Sequence, residues 1–293
     1  MGHLADTPTI PGQAPEATGA PGAAGDATFE PPRSCVPFRF EEPLREGVIL
    51  ARPNRFIMDV ALDGQQVRCH CPAVSRIGGL DLAGRPCLVS DSHDPKRKMP
   101  LTVEAYSLAR PEDAQRPWVG INQNASNRYV EHFLRQGAFA ALAGQPAAVQ
   151  REVPLGASRM DFKVDDGLYL EVKTPLVQMQ AEVPAYVPRL PEAPFSSTER
   201  SLRHLRELAQ ALQASAEGPK AAGDGATRVE RAVVLYCLYY DNFGFRFYHG
   251  TTYEEVRTTV DACRAAGVEL WQADFEVSPE GVALKSYWPL EEW

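Results

Sequence analysis

Arg159-Met-Asp-Phe-Lys-Val-Asp-Asp-Gly-Leu-Tyr-Leu-Glu-Val-Lys173 alternates apolar and polar side chains with period two, the pattern of a half-buried strand pair. Met160, Phe162 and Val164 fall on one face of the first strand; Leu168, Leu170 and Val172 fall on one face of the second. Asp165-Asp166-Gly167 between them is turn chemistry, with glycine free to take the left-handed backbone of a three-residue loop. That loop sets the register. Val164 faces Leu168, Phe162 faces Leu170, and Asp161 faces Glu171, so the apolar faces coincide as a buried sheet requires.

Two carboxylates directly opposed on neighbouring strands stand about 5 Å apart at Cβ. At ~4 Å and an effective dielectric near ~20 their repulsion is on the order of 4 kcal/mol. Such a pair calls for a cation. Lys173, on the Glu171 face two residues further on, is one; a divalent metal is another. An aspartate followed by Glu-x-Lys on the adjoining strand resembles the core of the PD-(D/E)xK phosphodiesterases. Hard oxygen ligands suit Mg²⁺, with Mn²⁺ as a substitute, and Mg²⁺ takes only one or two carboxylates while keeping several waters. There the metal polarises a phosphate and activates a bound water, and the lysine orients that water. The same residues on an exposed strand face also make an ordinary surface ion pair, so the remainder of the chain has to decide.

The 293 residues suffice for two domains, and 44% hydrophobic with 23% charged residues suits globular cores. No apolar run reaches the length of a membrane-spanning helix. The first residues lack the features of a signal or transit peptide, and Asp6 stands where a myristoylation site needs Ser or Thr. A cytoplasmic location with no membrane partner is the expectation. The net charge of -8 excludes a protein that coats nucleic acid through bulk positive charge. A nucleic-acid site must then be a local basic strip. The six cysteines form no C-x-x-C pair. On a strand, Cys69 and Cys71 share one face while His70 points to the other, so reduced thiols are expected there and not a zinc site.

Residues 1–36, rich in Ala, Gly, Pro and Thr, read as a disordered tail. Between residues 37 and 123, short strands follow one another closely: Val48–Ala51, Arg55–Leu62, Gln66–Cys71, Arg85–Asp91, Leu101–Leu108 and Trp118–Asn122, with an Asp63-Gly64 hairpin turn. This spacing, without a long helix, predicts a small closed barrel such as the OB-fold. Within it Asp94-Pro-Lys-Arg-Lys98 is the densest basic run. On a barrel loop beside Arg52 and Arg55, Lys96, Arg97 and Lys98 would contact phosphates.

Residues 124–293 read as an α/β sandwich. Ser126 is expected to cap a helix over Asn127–Gln136 that carries Glu131 near the margin of its apolar face. Strands at Val149–Val153 and along the central hairpin follow. A Pro-rich excursion (near 179–196), a helix capped at Ser196–Glu199, and a flexible insertion (near 214–228) come next. Ala232–Tyr240 suits a central strand buried on both faces, and a capped helix over Thr252–Ala266 precedes strands at Val268–Phe275 and Val282–Trp288.

Taken together the pieces resemble the sugar fermentation stimulation protein family, SfsA. The stretches that carry the likeness run in family order: Arg55-Phe with Asp59-Val, His70-Cys-Pro72, Asp94-Pro-Lys-Arg-Lys98, Trp118-Val-Gly-Ile-Asn122, Asn127-Arg with Glu131, Arg151-Glu-Val153, Ser158-Arg-Met-Asp-Phe162, Glu171-Val-Lys173, His204-Leu-Arg-Glu-Leu208, Arg231-Ala-Val and Ala266-Gly-Val268. The resemblance implies an N-terminal OB-fold joined to a PD-(D/E)xK nuclease-like domain. It implies Asp161 and Glu171 as metal ligands, Lys173 as the catalytic lysine, Glu131 as the helical acid completing the site, and Lys96, Arg97 and Lys98 against a nucleic-acid backbone. Family members are associated with DNA binding and, by fold, with nuclease activity; RNA is a further possible substrate. The chain departs from the family pattern after Pro72, where Ala73-Val-Ser-Arg76 replaces an Asn-Thr-Gly-Ser type loop, and after Lys173, where Thr174-Pro175 replaces an Asn. A Mg²⁺-dependent nuclease is the first expectation. A non-catalytic, regulatory DNA-binding protein on a nuclease-like scaffold is the alternative, and the sequence leaves the oligomeric state open.

Overall fold

The computed structural model describes residues 27–73, 76–191, 199–217, 228–247 and 253–291. The expected helix caps at Ser196–Thr198 and Thr252, residues 1–26 of the tail and residues 218–227 of the insertion lie outside these.

The described chain begins against the second domain. Phe29 and Tyr287 exchange both backbone hydrogen bonds at 2.9 Å, and the Phe29 ring lies 5.6 Å from Tyr287 and 6.2 Å from Trp271. β1 (Phe38–Arg39) then pairs antiparallel with the last strand of the chain. The expectation of a structureless stretch to residue 36 therefore fails for residues 27–36. An aromatic anchor and a free sheet edge hold them, and neither can be read from local composition.

The barrel is built from β2 (Arg45–Asn54), β3 (Ile57–Leu62), β4 (Gln65–His70), β5 (Pro86–Asp91) and β6 (Leu101–Ser107), in the order β4-β3-β2-β5-β6. A β4–β6 pairing at His70 and Thr102 closes it. Asp63 and Gly64 both take positive φ, 50° and 76°, as the two-residue turn between β3 and β4 requires. Met58, Val60 and Leu62 alternate into the barrel core with Cys69 and Cys71. Burial pushes the Cys69 thiol up to about 11, and all six cysteines are free thiols. β7 (Trp118–Gly120) joins the edge of β6 and leads out of the barrel. The junction is pinned by Glu104, 7% exposed, which accepts from Ser90 Oγ and from Asn122 Nδ2, each at 2.6 Å.

The second domain runs α1 (Ser126–Arg135), α2 (Ala140–Ala143), β8 (Val149–Leu155), β9 (Ser158–Val164), β10 (Leu168–Lys173), α3 (Glu199–Ala216), β11 (Arg231–Leu238), α4 (Tyr253–Ala265), β12 (Val268–Ser278) and β13 (Gly281–Pro289). Its seven-stranded sheet has the order β1-β13-β12-β11-β10-β9-β8. β10, β11 and β12 are parallel neighbours joined by the α3 and α4 crossovers; the other pairs are antiparallel. Phe133 and Leu134 of α1 cover one face, against Phe162, Leu170, Val233 and Leu235. Leu202, Leu205 and Leu208 of α3 cover the other, with Val256 and Val260 of α4, against Tyr169, Ala232 and Val234. Each such fully buried side chain contributes roughly 1.5–3 kcal/mol.

Three local expectations need correction. The central hairpin is half-buried only along β9, which alternates as expected; β10 is buried on both faces, with Tyr169 at 0% and Glu171 at 3% exposure. Its polar-looking face is the one α3 packs upon. Ser126 does not cap α1. It lies inside the first turn after the N-cap Ala125, and its hydroxyl meets Thr174 Oγ1 at 2.7 Å. Finally, Ala214–Ala216 form the last turn of α3, where a flexible insertion was expected to have begun.

The Pro-rich segment after β10 is strapped back onto the barrel. Leu176 and Pro188 carbonyls accept from Gly78 and Asp81 N–H at 2.7 and 2.8 Å, and Leu190 N–H donates to Gly79 O at 2.7 Å.

Candidate active site

The β9–β10 register is the expected one, with Val164 opposite Leu168 and Phe162 opposite Leu170, but the left-handed residue of the loop is Asp165 (φ +48°) and not Gly167. One position beyond that ladder, Asp161 and Glu171 come close enough for the Glu171 charge to act on Asp161. Both line a pocket of about 420 Å³, together with Lys173.

Each carboxylate is held by named partners. Asp161 Oδ1 accepts from Asn127 Nδ2 of α1 at 2.6 Å, and Oδ2 accepts from the Val172 N–H at 2.7 Å. Glu171 Oε1 accepts from Lys173 Nζ and faces His204 Nδ1 of α3, each at 2.5 Å. Glu171 Oε2 is buried and has no hydrogen-bond partner among the described residues. A carboxylate oxygen withdrawn from water and unpaired costs on the order of 1–3 kcal/mol or more, which a cation would offset.

Electrostatics separates the two acids. Burial, and then the Glu171 charge, raise the Asp161 carboxyl to about 6, against the lowering effect of its hydrogen bonds and of Lys173. Burial also raises Glu171, but the His204 hydrogen bond and Lys173 outweigh it and hold that carboxyl below its ordinary value. At neutral pH both are ionised, and Asp161 is the one that takes up a proton first on acidification.

Of the residues named from sequence, Asp161, Glu171 and Lys173 come together. Glu131 does not join them. It sits one turn along α1 from Asn127, and its carboxylate is taken by Arg135, at 2.8 and 3.0 Å, and by Arg151 at 3.2 Å. The helix face expected to contribute an acid contributes Asn127 in its place. Lys96, Arg97 and Lys98 are exposed on the loop between β5 and β6, where Asp94 braces the turn by accepting from Lys96 N–H at 2.9 Å. Arg52 and Arg55 line a different pocket, one that the lysine-rich loop does not reach.

Arg159, Arg203, His204 and Glu152 also line the pocket and carry no role in the sequence reading. Arg159 and Arg203 are exposed on its rim and make no ion pair among the described residues. His204 belongs to the inner stripe of α3 with Leu205 and Leu208; a histidine at that helical spacing is the one sequence signal that points to it. Glu152 lies opposite Asp161, between the pairs Arg151–Phe162 and Val153–Met160, with φ +52°. A non-glycine residue in that conformation costs about 1–2 kcal/mol, and nothing in the sequence announces it.

Among the described residues no group of three or more His, Cys, Asp or Glu side chains surrounds one metal position. The donor set fits a hard divalent ion that takes one or two carboxylates and completes its shell with water, with the orphaned Glu171 Oε2 as a ready ligand atom.

Comparison with known proteins agrees with this two-part plan. One family model, the SfsA N-terminal OB domain, matches residues 50–121, and a second, the sugar fermentation stimulation protein RE domain, matches residues 124–222. A sugar fermentation stimulation protein homolog of Synechococcus elongatus is 34% identical over 260 residues, covering 85% of this chain and 96% of the relative. The chain belongs to the SfsA family. An SfsA homolog of Methylobacterium radiotolerans is 33% identical over 256 residues, 86% of this chain and 98% of its own length. The solved structure of Pyrococcus furiosus SfsA in complex with Ca²⁺ superposes with a TM-score of 0.62 at 17% identity, covering 86% of this chain and 98% of that one. At that identity the likeness shows the shared SfsA fold. Among the described residues no helix is long and apolar enough to cross a membrane.

Proposed function

We propose that this SfsA family member is a metal-dependent phosphodiesterase that hydrolyses nucleic acid. The observation that carries the reading is the buried Glu171 Oε2, without a hydrogen-bond partner among the described residues, set beside Asp161 and Lys173 in an open pocket. Asp161 and Glu171 would hold the ion, Mg²⁺ or Mn²⁺. The Ca²⁺ complex of the Pyrococcus furiosus relative supports a divalent, oxygen-seeking ligand. The bound ion supplies phosphate polarisation and an acidified water.

The chain's own residues do the rest. His204 and Lys173 bond one oxygen of Glu171, which leaves the other aimed for coordination. Asn127 and the Val172 N–H orient Asp161 in the same way. Lys173 Nζ, 21% exposed at its side chain, reaches the pocket with donors for an attacking water and a phosphate oxygen. Arg159 and Arg203 at the rim suit the phosphates on either side of the scissile bond.

A second reading is favoured by the two protein donors on Asp161, which satisfy both its oxygens without any ion. In that reading the domain is a DNA-binding platform without catalysis. Incubating the full chain with labelled single- and double-stranded DNA and RNA separates the two. Cleavage that needs Mg²⁺ or Mn²⁺ and vanishes in Asp161→Ala, Glu171→Ala and Lys173→Ala is the expected result. Cleavage that persists in Glu171→Ala would sink this assignment of the chemistry. Binding indifferent to chelator, with no cleavage under any metal, selects the platform.

A further inference from the structure

A second pocket of about 410 Å³ lies where the barrel meets the Pro-rich strap. Its floor and wall are apolar: Leu80 and Leu82 are buried at 4% each, and Leu190 of the strap is 45% exposed. Arg52, Arg55 and Arg76 line the same pocket. The Arg52 guanidinium is fixed by bonds to Ala73 O at 2.8 Å and Arg55 O at 3.2 Å, and Arg76 Nη1 donates to the strap at Pro191 O. The Arg55 guanidinium lies 4.6 Å over the Phe56 ring, which is itself 42% exposed, and makes no ion pair among the described residues. One acid, Asp81, offsets three cations, and its Oδ1 is taken by the Ala83 N–H at 3.0 Å.

An apolar slot edged by guanidinium groups matches one kind of ligand. A flat apolar face fills the slot, and an anion beside it meets the arginines. We infer that this pocket holds one unstacked base of a nucleic-acid strand, with its phosphate against Arg52, Arg55 and Arg76. The inference rests on the nucleic-acid reading above and narrows it to strands with unpaired bases.

The two pockets are within reach of one strand. Leu176, whose carbonyl accepts from Gly78 beside this pocket, is only three residues past Lys173. That chain length spans at most roughly 11 Å, a distance a few nucleotides cover at roughly 3.4 Å each. The strap that carries Leu190 thus makes the wall of the base slot and also continues the catalytic strand.

The test is fluorescence anisotropy on the full chain in Ca²⁺, using a labelled oligothymidylate of about six nucleotides, its abasic counterpart, a blunt duplex and free thymidine monophosphate. The oligothymidylate is expected to bind about tenfold tighter than the abasic strand. Leu190→Trp, which fills the slot from an exposed position, should abolish that preference. Arg55→Ala should weaken both strands and reduce the salt slope by about 0.7. Equal binding of base-bearing and abasic strands, or an unchanged preference in Leu190→Trp, overturns the pocket and leaves the metal site untouched. A free mononucleotide that binds as tightly as the strand overturns the assignment to a strand. Base-dependent binding without cleavage in Mg²⁺ upholds the pocket and removes the nuclease reading alone, whereas failure of every nucleic acid to bind removes both.

Discussion

His204 Nδ1 of α3 stands 2.5 Å from Glu171 Oε1 of β10, and both side chains are at least nine-tenths buried. The contact ties the crossover helix to the acid that offers its other oxygen to the pocket. It requires a proton on Nδ1, which fixes the imidazole as the donor. In His204→Ala the carboxylate keeps Lys173 but loses its second anchor. Metal affinity and cleavage should each fall about 10–100-fold, and urea unfolding should show a stability loss of about 1–3 kcal/mol. His204→Gln, which can still donate, should recover part of the metal affinity. Isothermal titration with Mg²⁺ on both variants checks the order.

The Asp161 carboxyl, raised to about 6, gives metal-free stability a definite pH dependence. Its folded pKa lies above the unfolded value, so the folded state binds the proton more tightly. The resulting stabilisation is full below the unfolded value near 3.8 and is lost as pH rises through about 6. Urea unfolding of metal-free protein should show this slope, on the order of 2 kcal/mol across the window after allowance for partial solvation. Asp161→Asn should flatten it. Binding of Mg²⁺ near pH 5 should release protons in the native protein and not in the variant, which titration in buffers of different ionisation enthalpy reads directly.

Lys96, Arg97 and Lys98 are exposed and make no ion pairs among the described residues. If they meet phosphates of a single strand, replacing all three with Ala should lower the slope of log affinity against log salt by about 2. Stability should change by less than about 0.5 kcal/mol. An unaltered slope would remove the loop from the interface.

Gly281 tests the N-terminal strap. A Cβ built there would meet the Phe38 carbonyl oxygen at 2.0 Å, backbone against backbone, where β1 pairs with β13. Gly281→Ala should expel β1 at a cost of about 2 kcal/mol. Rapid hydrogen exchange should then appear from Phe38 to Phe40, with the barrel amides unchanged. Unchanged protection in that stretch would mean the strap does not depend on the close approach.

The amino-acid sequence alone determined the parts that follow from local periodicity and turn chemistry. The Asp165–Gly167 loop dictated which residues of β9 and β10 face each other as far as Phe162 and Leu170, and Asp161 and Glu171 just beyond that pair line one pocket. The Asp63-Gly64 turn and the alternation of β3 did the same for the barrel. Tertiary structure decided everything that depends on which distant element arrives. Glu131 has the right type and helix, yet two arginines from α1 and β8 claim it, while Asn127 takes the place beside Asp161. His204 is 33 residues from Glu171, beyond any spacing rule, and the docking of α3 brings them into contact. Residues 27–36 and the Pro-rich segment look structureless by composition, but each finds an edge or a surface supplied by another part of the chain. Local sequence sets dihedral preference and side-chain parity. Burial, charge pairing and the remaining valence of a carboxylate belong to the packed molecule.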